Sequence, residues 1–128
     1  MAHNLFEELM QEGYNFFVGV PDSALKDFQN EIQTSPFENV IATNEGQAVA
    51  IAFGAELAGK KACVYMQNSG LSNALNPLIS IAHEKVYSKP LILIIGWRGS
   101  PRVKDEPQHN VKGKITEQIL RLLNIKYT

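Results

Sequence analysis

The sequence predicts an α/β fold in which helices cover both faces of a parallel sheet. Short apolar segments alternate along the chain with segments whose apolar residues recur at helical spacing. Three of the apolar segments lack the polar alternation of a half-exposed strand, which is typical of a parallel sheet covered on both faces. The 128 residues, of which 45% are hydrophobic and 20% charged, fit one globular domain. We therefore expect a single three-layer α/β/α domain over residues 1–128.

The expected strands are short and apolar, and each is bounded by glycine, proline or polar residues. They cover residues 16–20, 39–43, 62–67 and 90–96. The expected helices place apolar residues three or four positions apart. They cover residues 5–12, about 25–32, 45–59, 71–83 and 115–123. Pro77 falls inside the fourth helix and requires a kink or a new turn at that point.

The segments that follow the strands are the expected place for a site. Ligands of open parallel sheets bind beyond the carboxyl ends of the strands, and those ends meet at one edge. All four segments are rich in small and polar residues, so we expect a composite site. The segments are Val20-Pro21-Asp22-Ser23, Thr43-Asn44-Glu45-Gly46, Gln67-Asn68-Ser69-Gly70 and Trp97-Arg98-Gly99.

Glu45 is the most informative single residue, because it begins a helix that is otherwise almost entirely apolar. A helix with no polar face is expected to be buried on most sides. Glu45 should therefore lie at the rim of a site from which water is excluded, where carboxyl groups are often functional. The alternative is that Glu45 only caps its helix, and this segment alone does not decide between the two.

A predicted polar loop separates the last strand from the last helix. It covers residues 97–112, about 16 residues, and loops of that length are usually functional or disordered. Arg98, Arg102, Lys104 and His109 lie within it, near the end of a strand. Such cations could receive an anionic substrate. A solvated charged loop is the alternative.

Composition and motifs exclude several classes of protein. The net charge of −1 favours neither nucleic acid nor a membrane surface as a partner. The dinucleotide fingerprint G-x-G-x-x-G and the phosphate loop G-x-x-x-x-G-K-[ST] are both absent from the sequence. His3, His83 and His109 are isolated, and no ligand cluster has metal-binding spacing, so no metal site is expected in this chain.

The cellular compartment can also be anticipated. Cys63 is the single cysteine and lies in an apolar run, so it is expected to be an inert buried thiol. With no disulfide possible within the chain, a reducing cytoplasm is expected. The first residues lack the basic region and apolar core of a signal peptide. No apolar run in the sequence is long enough to span a bilayer.

Several strings of residues occur in a recognisable order. They are Val-Gly-Val-Pro-Asp-Ser at 18–23, Asn-Glu-Gly-Gln-Ala-Val-Ala at 44–50, Tyr-Met-Gln-Asn-Ser-Gly-Leu-Ser-Asn-Ala-Leu-Asn-Pro-Leu at 65–78, Gly-Trp-Arg-Gly at 96–99 and Lys-Asp-Glu-Pro-Gln-His at 104–109. Together they resemble the N-terminal, pyrimidine-binding domain of thiamine-diphosphate-dependent decarboxylases, above all phosphonopyruvate and sulfopyruvate decarboxylases. The resemblance covers nearly the whole chain.

The resemblance implies catalytic roles for three residues. A glutamate at the position of Glu45 hydrogen-bonds N1′ of the cofactor's aminopyrimidine and promotes loss of the proton from C2 of the thiazolium. Asp22 matches an acidic residue that lies near the bound substrate in related enzymes. His109 matches an active-site histidine. The alternatives are that Asp22 caps a helix and that His109 is a solvated loop residue.

The resemblance also implies binding residues. Asn68, Ser69, Gly70 and Asn73 match the turn that lies against the cofactor, although Asn73 could equally be an ordinary helix-surface residue. Arg98 and Lys104 are the candidates for binding the substrate's phosphonate or sulfonate, on charge alone.

The resemblance leaves the enzyme incomplete. In the family a second domain binds diphosphate and Mg²⁺ through a Gly-Asp-Gly…Asn-Asn motif, and neither half occurs here. We therefore expect a fragment or an α-type subunit, inactive alone, in a homo- or hetero-oligomer with a diphosphate-binding domain or subunit. The substrate would be an anionic 2-keto acid, either phosphonopyruvate or sulfopyruvate. A non-catalytic binding or regulatory domain is the second hypothesis, and a flavodoxin-like domain ranks last.

Overall fold

The structure, a computed structural model, describes residues 4–128 and confirms the predicted three-layer α/β/α architecture. His3 lies outside the described residues. Four parallel strands form one sheet in the order β2-β1-β3-β4. The strands are β1 (Phe16–Gly19), β2 (Glu38–Ile41), β3 (Ala62–Gln67) and β4 (Ile92–Gly96).

The helices lie on the two faces of this sheet. The α-helices are α1 (Leu5–Gln11), α2 (Lys26–Thr34), α3 (Glu45–Leu57), α4 (Leu71–Pro77) and α5 (Pro107–Leu122). Short 3₁₀ turns precede α2 and α4, at Ser23–Leu25 and Asn68–Gly70. A π-helical turn, Leu78–Ala82, follows α4 directly. Pro77 therefore ends the α-helix and starts a new kind of turn, one of the two outcomes expected for it.

The alternation of side chains along β3 separates two cores. Val64 and Met66 contribute to the core that also contains buried residues of α3, α4 and α5. Cys63 and Tyr65 contribute to the opposite core, where phenylalanines of α1, β1 and α2 pack edge to face or tilted. Because successive strand residues point to opposite faces, Gln67 at the end of β3 belongs to the face of Tyr65.

Helix α5 begins earlier than expected. The sequence suggested a loop to residue 112, but the helix starts at Pro107 and places His109 in its first turn. Proline is well suited to the first helical position, since its φ is already helical and no N–H bond is lost. The amide of Asn110 donates to the Asp105 carbonyl at 3.0 Å and ties this turn to the loop before it. Residues 108–114 concealed the helix, because Val111 is their only large apolar residue.

Two expectations about burial are corrected. Helix α3 is buried on one side, through Ala48, Val49 and Ala52, rather than on most sides. Its opposite side is exposed, and Leu57 is 61% accessible. Strand β4 is apolar but only half-buried up to Gly96, because it forms an edge of the described sheet. Apolar sequence alone does not distinguish a central strand from an edge strand.

Candidate active site

The start of α3 shows that Glu45 is not the cap of its helix. Asn44 occupies the N-cap position, and its side-chain oxygen Oδ1 accepts a hydrogen bond from the backbone N–H of Gln47 at 2.9 Å. Glu45 is the first helical residue, where the helix dipole favours a negative charge. Its carboxylate is therefore available for contacts outside its own helix.

Those contacts come from the Asn68–Gly70 turn and from α4. The side-chain amide of Asn73 donates to Oε2 of Glu45 at 2.9 Å. A Cβ on Gly70 would lie 2.3 Å from Cγ and 2.4 Å from Oε1 of Glu45. Only glycine at position 70 lets the carboxylate lie there. The structure thus brings together Glu45, Gly70 and Asn73, three of the predicted cofactor-binding residues, and we call them the Glu45 corner.

Asn68 makes a different set of contacts. Its side chain is buried, and its amide donates to the carbonyl of Arg98 and to Oγ1 of Thr116, both at 2.9 Å. Its oxygen accepts from the backbone N–H of Arg98 at 3.2 Å. Asn68 therefore joins β3 to the loop after β4 and to α5. Its neighbour Ser69 accepts at its carbonyl from the Ser72 hydroxyl at 3.2 Å. A cofactor contact by either residue stays a prediction.

Asp22 lies just beyond β1 and is 9% accessible. It occupies the N-cap position of a 3₁₀ turn but makes no side-chain capping hydrogen bond there. Its oxygen Oδ2 is buried and has no hydrogen-bond partner among residues 4–128. A Cβ on Gly96 would lie 2.3 Å from that oxygen. The carboxylate therefore lies over the end of β4 with one oxygen unsatisfied, which the capping alternative does not explain.

His109 is the second residue with an unsatisfied polar atom. Its ring nitrogen Nδ1 is buried without a hydrogen-bond partner in the described part of the chain. The backbone around it is tightly fixed, because a Cβ on Gly99 would lie 1.8 Å from the His109 carbonyl oxygen. Gly99 also has a φ of +67°, a conformation that favours glycine. His109 is thus held on a helix and packed against the loop after β4.

Arg98 is already paired within the chain. Its guanidinium donates to Asp105 through two nitrogens, at 2.7 and 2.8 Å. These hydrogen bonds hold the pKa of the Asp105 carboxyl well below its usual value and raise the pKa of Arg98. Lys104 lies exposed in the same loop. Arg98, one of the two predicted anion-binding residues, therefore stabilises the loop to which it belongs. Substrate contact by Arg98 or by Lys104 stays a prediction.

Gln67 lies in one of the predicted site segments, although no role was predicted for it. It is the last residue of β3, and its amide nitrogen Nε2 is buried without a partner among the residues the structure describes. Asp22 and His109 share this property, since each of them also keeps a buried side-chain atom without a partner among the described residues. We call these three residues the Asp22 corner. The available signal was a lone polar residue that ends an otherwise apolar strand.

A family model described as "Thiamine pyrophosphate enzyme, N-terminal TPP binding domain" matches residues 1–119. This chain belongs to that family. It is 39% identical to a phosphonopyruvate decarboxylase of Streptomyces viridochromogenes, over 99% of this chain and 32% of that protein. It is 31% identical to a sulfopyruvate decarboxylase subunit alpha of Methanococcus maripaludis, over 96% of this chain and 72% of that subunit. The chain thus spans about a third of the first relative.

A solved structure agrees with this assignment. The benzoylformate decarboxylase of Polynucleobacter necessarius is 29% identical to this member of the thiamine pyrophosphate enzyme family, with a TM-score of 0.63. The match covers 76% of this chain and 18% of the decarboxylase chain. Within residues 4–128, no helix is long and apolar enough to cross a membrane.

The residues of the Glu45 corner fit the aminopyrimidine end of thiamine diphosphate. A carboxylate can hydrogen-bond a protonated ring nitrogen, and Asn73 and Gly70 hold the carboxylate of Glu45 in one place. Asp22 and His109 each have a buried polar atom without a hydrogen-bond partner among the described residues, which polar groups of a bound molecule would satisfy. Among the residues from Asn4 onward, no group of three histidine, cysteine or acidic side chains could hold a metal ion.

Proposed function

We propose that this chain is the pyrimidine-binding half of a thiamine-diphosphate-dependent 2-keto acid decarboxylase. The observation that carries the proposal is the position of Glu45. It is the first residue of α3 without being its cap, and it is held by Asn73 against Gly70. The family membership and the names of the relatives support the same reaction class.

In this proposal each residue binds the pyrimidine ring, holds a proton or contacts the substrate. Thiamine diphosphate, when bound, supplies the electron sink that lets the substrate's carboxylate leave as carbon dioxide. Glu45 hydrogen-bonds N1′ of the pyrimidine and holds or shares a proton there. Asn73 fixes the orientation of that carboxylate. Asp22 and His109 present their unsatisfied atoms to the substrate.

Phosphonopyruvate is the proposed substrate, converted to phosphonoacetaldehyde and carbon dioxide. Sulfopyruvate is the alternative, since both are 2-keto acids with a tetrahedral anion. Lys104, and Arg98 if it can release Asp105, would bind that anion. The diphosphate and Mg²⁺ would be held by a second domain or subunit in a homo- or hetero-oligomer. A cytoplasmic location is part of the proposal.

Reconstitution tests the proposal. The chain is mixed with a chain that carries the diphosphate-binding domain, together with thiamine diphosphate and Mg²⁺, and carbon dioxide release is measured. Glu45→Gln should lower the rate by about 10²–10⁴-fold, the usual contribution of a positioned proton-transfer group. Glu38→Gln is the matched control, because Glu38 is exposed at the opposite edge of the sheet, where β2 begins.

The outcomes separate the hypotheses. Release from phosphonopyruvate or from sulfopyruvate decides between the two substrates. A wild-type rate in Glu45→Gln would show that the mechanism is wrong. Cofactor binding by the assembly without turnover of either acid would instead favour the non-catalytic binding or regulatory domain.

A further inference from the structure

The position of Gln67 is fixed by the sheet. It ends β3 and pairs in register with Gly96, the last residue of β4. Paired residues of neighbouring strands lie about 5 Å apart and point to the same face. For Gln67 that face is the one to which Tyr65 points, two residues earlier on β3. The amide of Gln67 therefore projects from the carboxyl edge on the side of α2.

Asp22 occupies the space above Gly96 on that same face. A Cβ on Gly96 would meet Oδ2 of Asp22 at 2.3 Å, and side-chain carbons of Ala24 and Leu25 at 3.2 Å. Because Gly96 has no side chain, the Asp22 carboxylate occupies the position that a side chain at residue 96 would take. The Asp22 carboxylate and the Gln67 amide are consequently neighbours above the ends of two adjacent strands.

These neighbours present complementary groups that do not satisfy each other. Nε2 of Gln67 is a hydrogen-bond donor and Oδ2 of Asp22 is an acceptor, and both are buried without a partner in the part of the chain that is described. Buried polar groups are normally paired, because an unpaired one lowers stability. A donor and an acceptor that lie side by side and are both unpaired indicate that a bound molecule contacts them.

We propose that Gln67 binds the substrate, with its amide N–H donating a hydrogen bond to the carboxylate of the 2-keto acid. The inference rests on the proposed function and adds a substrate-binding residue to it. A neutral donor suits this task better than a cation. As carbon dioxide leaves, the carboxylate loses its charge, so a cation would stabilise the ground state more than the transition state and oppose the reaction. The nearby cation, Arg98, is already neutralised by Asp105.

Kinetics of the reconstituted, cofactor-loaded complex test this role. Gln67→Ala should lower kcat/KM by about 10- to 100-fold, the effect of losing one hydrogen bond to a charged group. Gln67→Glu should lower it further, because it removes the donor and adds a second negative charge, beside that of Asp22, against the substrate's carboxylate. Gln11→Glu is the matched control, since Gln11 is exposed at the end of α1, before β1 begins. If Gln67→Ala does not fold, Gln67→Asn replaces it as a shorter amide.

A second readout measures the cofactor without substrate. Deuterium exchange at C2 of bound thiamine diphosphate depends on Glu45 and not on a residue that contacts only substrate. Gln67→Ala should therefore keep the wild-type exchange rate, while Glu45→Gln loses it. An exchange rate lowered equally in both variants would assign Gln67 to the cofactor and overturn the inference.

A third readout measures binding without turnover. The ¹⁵N signals of the Gln67 side-chain amide, identified by their loss in Gln67→Glu, are followed during titration with 3-phosphonopropionate, which carries a carboxylate and a phosphonate but no keto group. A saturable shift confined to these signals, with Gln11 unchanged, supports the inference even if the complex releases no carbon dioxide and the proposed function fails. An absent shift, or unchanged kcat/KM in an active Gln67→Ala complex, overturns it while the proposed function stands.

Discussion

The two corners of the carboxyl edge differ in how far the chain itself completes them. At the Glu45 corner, the carboxylate has a hydrogen-bond donor in Asn73 and a glycine that admits it. At the Asp22 corner, each of the three residues keeps a buried polar atom that no other residue of the described chain satisfies. Under the proposed function, this difference means that the pyrimidine side is preorganised, whereas the substrate side is completed by what binds there.

The largest effect should come from breaking the preorganised corner. Gly70→Ala would place a methyl group within 2.4 Å of the Glu45 carboxylate carbon and force that side chain away. Misplacing a catalytic group by about 1 Å costs roughly 100-fold in rate, which we expect in the reconstituted decarboxylation assay. Gly54→Ala is the control, because nothing lies within 4 Å of its added carbon. Equal rates in the two variants would contradict preorganisation.

An intermediate effect, on stability, should follow from removing the hydrogen bonds that join the end of β3 to the loop after β4. Asn68→Ala removes hydrogen bonds to both backbone groups of Arg98 and to Thr116, leaving buried groups unsatisfied. We expect a loss of about 1–3 kcal/mol in the free energy of unfolding, measured by urea titration. Asn30→Ala, at an exposed position on α2, should change it by less than about 0.5 kcal/mol. An unchanged unfolding midpoint for Asn68→Ala would mean that this junction carries no stability.

The smallest effect concerns the loop that adjoins the Asp22 corner. Because Arg98 depresses the pKa of Asp105 below its usual 3.8, the pair stabilises the fold above about pH 4. That stabilisation is lost as the pH falls through the depressed folded value. Asp105→Asn should therefore lose stability at pH 7 and show a flatter decline between about pH 4 and 2. Asp27→Asn, exposed on α2, should follow the wild type in the same urea titrations.

The sequence was sufficient to predict the three layers of the fold but not the contacts between side chains of different elements. Apolar runs and helical spacing indicated the strands and the edge at which Asp22, Glu45 and Asn68 lie, because these patterns report local structure and burial. The contact between Glu45 and Asn73 depends on how α3 packs against α4, which no local pattern encodes. Charge alone suggested Arg98 as an anion-binding residue, and its pairing with Asp105 was visible only in three dimensions.

The start of α5 was missed for a different reason. Residues 108–114 are polar except for Val111 and Gly113, so they lack an apolar stripe and resemble a loop. In the structure, Gly113 permits a close backbone approach, since a Cβ there would lie 1.8 Å from the carbonyl oxygen of Gly99. Pro107 was the available signal, because proline is favoured at the first position of a helix. Weighting that signal would have placed His109 on a helix from the start.

The strand order has a consequence for how this site can evolve. The chain leaves β1 towards α2 on one face of the sheet and leaves the adjacent β3 towards α4 on the other. The winding direction thus reverses between β1 and β3. Because the connections after these two adjacent strands leave on opposite faces, a crevice forms between them. Asp22 and Gln67 stand at these exits. Their side chains can change without closing the crevice, so under the proposed function one backbone could accommodate 2-keto acids with different tails.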